Sequence, residues 1–262
     1  MKKILFTIAL IVFFNSFGQN TIETKYTPPE GYERVYNDAY SKFLREFPLK
    51  ENNIVKYYDG EEKYNDNIWD AVFDYDIGEK NLHQCADAVL YMRANYLYTN
   101  GLKDNLTYTF LSGYRANYFD FISHYYLVNG SKVSLVLRNN TLVDNIETFN
   151  KWIEKIWMWS NTESIDRSDS FYVDINDIRP GDFFIESNQG SIGHAINVVD
   201  LVVNKTNNNK MFMLSQSFMP AQETHVLINP ENGSVWYSLD EFKDIVTPEW
   251  SFTVTQLKRF KY

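Results

Sequence analysis

The chain has 262 residues, a formal charge of −9 and 44% apolar residues. That is enough apolar material for one large core or two small ones, and the acidic balance excludes the clustered Lys and Arg of a nucleic-acid binder. It also argues against adhesion to anionic membranes, and a lone cysteine excludes an internal disulfide.

Lys2 and Lys3 precede an apolar run from Ile4 to Phe14 that is too short to span a bilayer. Ser16-Phe17-Gly18 then supplies small residues of the kind a signal peptidase reads. Residues 1–18 are therefore expected to be a secretory signal peptide. The mature chain is expected to be soluble and exported, to the periplasm or beyond, with no integral membrane segment. Residues 19–30, ending in Thr27-Pro28-Pro29-Glu30, read as a mobile leader. Residues 31–262 read as one domain, helix-rich over 31–170 and strand-rich over 171–262.

Apolar positions at Val35, Tyr36, Ala39, Tyr40, Phe43, Leu44 and Phe47 predict a helix over 32–47, ended by Pro48. Ile54 to Tyr58 and Trp69 to Tyr75 read as strands. A helix follows, with Asn81 as N-cap and Gln84 completing a capping box; it stops at Asn100-Gly101. Cys85, Val89, Met92 and Tyr96 would share one of its faces. Leu106 to Leu111 reads as a strand, Ala116 to Leu127 as a helix, Val133 to Leu137 as a strand and Ile146 to Trp159 as an amphipathic helix. After residue 171 come short β-rich runs at 182–185, 195–203, 211–215, 224–228 and 252–257, divided by Asn207-Asn208-Asn209 and Asn232-Gly233. The fold class is α+β, helices packed on an antiparallel sheet.

Cys85 is either an inert buried hydrophobe or a working thiol. A helix start favours the second, because its partial positive charge lowers a thiol pKa and its free N–H groups can hold an oxyanion. The complementary base is His194. It follows Gly193, which permits a tight turn and close approach of a substrate backbone, and it opens the apolar run Ala195-Ile196-Asn197-Val198-Val199-Asp200. A structural turn histidine is the alternative. Gln216 closes the next strand and is the expected orienter of His194, ahead of Asn197 and Asp200. Gln84 is a candidate oxyanion donor, and Gln84, Gly193 and Ser217 are the candidate substrate contacts. His83, His124, His194 and His225 lack ligand spacing, so no metal is expected, and no other cofactor. His83 and Asp87 read as a surface pair. No carboxylate pair stands out, and there is no phosphate loop or nucleophile-elbow serine.

Two resemblances rest on these residues. Gly31-Tyr32-Glu33-Arg34-Val35, Phe47-Pro48-Leu49-Lys50, Tyr58-Asp59-Gly60, Gln84-Cys85-Ala86-Asp87-Ala88-Val89, Gly181-Asp182-Phe183-Phe184-Ile185, Gly193-His194-Ala195 and the run from Gln216 to Gln222 resemble an uncharacterised family of exported bacterial proteins, a domain of unknown function. That likeness brings no activity with it. Pro180-Gly181-Asp182, Gly193-His194 and the apolar strand after them are remotely similar to the histidine half of papain-like cell-wall hydrolases of the CHAP and NlpC type. The second resemblance implies a papain-like arrangement and amidase or peptidase chemistry on cell-wall peptides, with Cys85, His194 and Gln216 in the family's order. The chain departs from that pattern in the long Cys85-to-His194 separation and in Gln rather than Asp or Asn before the cysteine. Two functions are carried forward: an exported cysteine hydrolase, and a non-catalytic envelope protein binding peptide or glycan. The sequence leaves the oligomeric state open.

Overall fold

The computed structural model describes residues 20–188, 192–240 and 243–261; the expected signal peptide lies outside the described residues. Its centre is a nine-stranded antiparallel sheet. Across it run Trp69–Val72, His225–Leu227, Lys210–Gln216, His194–Asn204, Phe183–Glu186, Leu257–Phe260 and Ser170–Tyr172. Tyr32–Arg34 pairs with the far end of His194–Asn204, and Tyr237–Ser238 with Lys210–Gln216. The strand-rich last third of the sequence therefore supplies most of the sheet, and the α+β reading holds.

Strand alternation splits the apolar residues between two cores. Ala195, Val199, Val202, Met213 and Val226 face the helices. Ile196, Val198, Leu201, Phe212, Leu214 and Leu227 face the other way and meet Ile175, Ile178, Ile245 and Phe252. The helix Cys85–Thr99 lies on the first face, with Ile146–Trp159 packed against it from outside. Sandwiched in this way, Cys85–Thr99 is buried nearly all round rather than along the one expected stripe. Its alanines at 86, 88 and 94 allow that close approach. Ile146–Trp159 forms as expected, its first turn fixed by Asn145, whose side chain accepts the Thr148 N–H at 2.9 Å.

Four local expectations are corrected. The segment read as a leader is packed: Ile22–Lys25 is a short helix, and Ile22 and Tyr26 belong to the core. The helix expected over 32–47 is only Ala39–Glu46, because Asp38 caps it by accepting the Tyr40 and Ser41 N–H groups, while Tyr32–Arg34 joins the sheet. The strand expected at Ile54 to Tyr58 makes only isolated bridges, through Lys56 and Tyr57. The helix expected over 116–127 is cut to Tyr118–Ser123, after which His124–Asn129 and Lys132–Leu137 form a hairpin. Alternating burial along His124–Asn129 is the period-two pattern that a helix reading overlooks.

Candidate functional site

The loop 81–84 fixes the start of the cysteine helix. Asn81 is not the N-cap; its side-chain oxygen accepts the Ala221 N–H at 2.8 Å and so ties this loop to the segment after Gln216. Gln84 takes the N-cap position, and its N–H donates to the Asp87 carboxylate at 3.0 Å. Cys85 is consequently the first helical residue, closer to the free N–H groups than the sequence suggested.

Cys85 lines a cleft of about 360 Å³. The cleft lies between this helix start, the segment Trp157 to Thr162, Ile192-Gly193 and Met219. Cys85 is 6% exposed. Burial pushes its pKa up to about 11, against the pull of the Ala195 N–H and of the N–H groups at its own helix start. The expected lowering by the helix is therefore outweighed by desolvation, and the resting thiol is protonated. Asp87 also lines the cleft. Burial raises its carboxyl well above the usual range, and its Oδ1 is buried without a hydrogen-bond partner among the described residues.

His194 opens its strand one residue before the N–H that faces the thiol. Its Nε2 lies 2.9 Å from the Gln216 Oε1, so the predicted histidine–glutamine pair is formed. The ring sits among Phe218, Trp250 and Phe252, with centroids at 4.8, 5.3 and 5.8 Å. Burial in this aromatic box pushes the imidazole pKa down to about 4. Among the described residues no hydrogen bond joins the Cys85 sulfur to the ring. The ring leaves the strand on the Phe252 side, whereas Ala195 packs in the core that faces the cysteine helix.

The remaining expected residues divide. Gln84 and Gly193 line the cleft. Gly193 is required by close approach of the protein itself: a Cβ there would stand 2.4 Å from the Glu186 carbonyl oxygen and 2.6 Å from Thr162 Oγ1. Ser217 does not line the cleft. It is fully buried and donates to the His83 and Gln222 carbonyls at 3.0 and 2.7 Å, stapling the loop on which it sits. His83 and Asp87 make no surface pair, because the His83 ring is buried between the Gln222 carbonyl and the Tyr75 hydroxyl. Asp200, ranked behind Gln216 as an orienter, is held by Arg34 at 2.7 Å. No cluster of residues suited to a metal ion occurs among the described residues.

Sequence reasoning missed Asp87 as a cleft residue, and it missed Glu249 and Trp250. Asp87 had a legible signal, an acid two residues beyond the cysteine in the first helical turn. Glu249 and Trp250 had none, since a distant hairpin turn delivers them.

The chain belongs to the family described as a domain of unknown function (4846), whose model matches residues 22–259. No curated protein and no solved structure matches it.

Proposed function

We propose that the chain is an exported cysteine hydrolase, an amidase or peptidase acting on peptides such as those of the cell wall. The observation that carries this reading is a cleft-lining thiol at the first position of a helix, set against the strand residue that follows a glutamine-bound histidine. The resting pair is neutral, so the reaction proceeds by general base rather than from a preformed ion pair. As the Cys85 sulfur attacks the amide carbonyl carbon, its proton passes to His194 Nδ1; the two are not bonded in the resting protein, so substrate entry has to bring the Nδ1 edge of the ring within reach of the sulfur. The oxyanion is held by N–H groups at the helix start, with Gln84 beside them. The C–N bond then breaks, His194 returns the proton to the leaving amine, and water hydrolyses the thioester. A papain-like arrangement, with helix-borne sulfur and strand-borne imidazole, fits this order of residues.

The test is peptidoglycan turnover, and reaction with a thiol-directed covalent probe, in wild type and Cys85→Ala. The wild type should show both and the variant neither; equal turnover by the two removes the hydrolase. One observation favours a second reading: the thiol is held protonated and is not hydrogen-bonded to the imidazole. On that reading the cleft binds peptide or glycan without turnover. A Cys85 that labels only after denaturation, together with ligand binding intact in Cys85→Ala, would select it.

A further inference from the structure

A hairpin, Ile245–Val246 paired with Ser251–Phe252, turns through Thr247 to Trp250 on the His194 side of the sheet. The Thr247 hydroxyl and N–H both bond the Trp250 carbonyl, at 2.7 and 2.8 Å, which locks the turn. Two consecutive side chains project from it. Trp250 flanks the His194 ring, with its indole N–H donating to Glu186 at 2.9 Å. Glu249 accepts the Gln216 side-chain N–H at 2.6 Å and pairs with Lys63 at 2.8 Å. Lys63 Nζ itself lies over the Trp69 and Phe218 rings, at 5.7 and 5.9 Å.

We infer that Glu249 is a positioning residue that dictates which nitrogen of His194 carries the proton. The argument is one of hydrogen-bond polarity. An ionised carboxylate only accepts, so Glu249 must face the amide nitrogen of Gln216. The amide oxygen is thereby turned to His194, and an amide oxygen also only accepts. The Nε2 it meets must therefore carry the hydrogen. The neutral imidazole is then confined to the Nε2–H tautomer, with the lone pair on Nδ1. Lys63, paired with Glu249 at 2.8 Å, holds the carboxylate in place against Gln216 and so holds the polarity of the chain. Without Glu249 the Gln216 amide has no reason to prefer one orientation, and either tautomer of His194 can be satisfied. The relay Lys63–Glu249–Gln216–His194 is complete within the described residues. Its importance for catalysis rests on the hydrolase reading, because Nδ1 is the base there; the tautomer itself does not.

The experiment is long-range ¹H–¹⁵N correlation of the histidine rings in ¹⁵N-labelled protein, assigned with His194→Gln. In wild type near pH 7, His194 should show a protonated-type Nε2 and an unprotonated-type Nδ1. In Glu249→Gln the two nitrogens should move toward intermediate shifts as the tautomers mix. The rate of Cys85 reaction with the thiol-directed probe should also fall about tenfold, the worth of one charge-assisted hydrogen bond. A wild-type His194 protonated at Nδ1 overturns the inference without any variant, and so does a folded Glu249→Gln that keeps the pure Nε2–H pattern. Should Glu249→Gln fail to fold, Glu249→Ala, which removes the acceptor altogether, is read by the same spectrum and the same two criteria. Absence of hydrolysis in the wild type would count against the hydrolase alone, since the ring shifts are read without turnover.

Discussion

Cys85 shows two opposing effects at one atom. The helix start and the Ala195 N–H stabilise a thiolate, while burial opposes it and wins, giving a pKa of about 11 against the ordinary value of 9.0. The sign for stability follows. A folded pKa above the unfolded one contributes stability that is present below pH 9 and is lost as the pH rises toward 11. Iodoacetamide should accordingly label the folded protein slowly through pH 9, with a rate that climbs toward pH 11, while the urea-denatured chain titrates about two units lower. A labelling midpoint near pH 7 in the folded protein would rule out the neutral resting pair and with it the general-base route. That Cys85 sits on a helix start and Gln216 beside His194 was legible from the sequence, because each depends on local pattern: a polar cap before an apolar run, and a polar residue closing an apolar strand. The pKa was not legible, because burial is set by what the fold packs over the sulfur.

At the scale of elements, the cleft depends on how tightly the strand entry fits the turn after Ile146–Trp159. Gly193 is the contact point, where a methyl group would meet both the Glu186 carbonyl and Thr162. Thr162 can rotate away, but Glu186 is tied into the ladder opposite His194. Gly193→Ala should thus cost about 1–3 kcal/mol of stability and change the rate at which Cys85 labels in the native state, as the start of the histidine strand is pushed outward. Adding Thr162→Ala should recover only part of the loss, since the carbonyl clash remains. Urea unfolding of the three proteins measures this, and a Gly193→Ala variant as stable as wild type would show that the strand entry has room to give. The element boundaries teach a related lesson. Ala116 to Leu127 looks like one helix by its apolar spacing, yet Asn117 caps a short helix and the hairpin takes the remainder. Glu249 and Trp250 belong to a two-residue-strand hairpin too short to leave a periodic trace, which is why half of the histidine's surroundings could not be read in advance.

The whole molecule keeps three histidines neutral in its interior. Burial lowers His83 and His194 to about 4 and His225 to about 3, each from 6.5. A depressed pKa contributes stability that is present above pH 6.5 and lost as the pH falls through the folded value, because the unfolded chain takes up the proton first. Four buried carboxyls, Asp87, Asp169, Asp182 and Asp200, are shifted up by desolvation and push the pH dependence the other way. The net acid slope of the wild type is therefore a balance, and a single-site difference isolates one contributor. His225 suits this, since its Nδ1–H donates to the Glu223 carbonyl at 2.9 Å while its Nε2 is buried with no partner among the described residues. An asparagine places an amide N–H near the Nδ1 position and does not titrate. His225→Asn should be destabilised by a constant amount above pH 6.5, from the volume lost beside Trp69. Below that pH the gap to wild type should close by up to about 1.4 kcal/mol per pH unit, because only the wild type then loses stability to protonation at this site. Urea midpoints of both proteins at intervals from pH 7 to pH 4 measure the gap. Curves that stay parallel across that range would mean that His225 is already solvated enough to titrate normally, and that the sheet face carrying His194 is wetter than its aromatic packing implies.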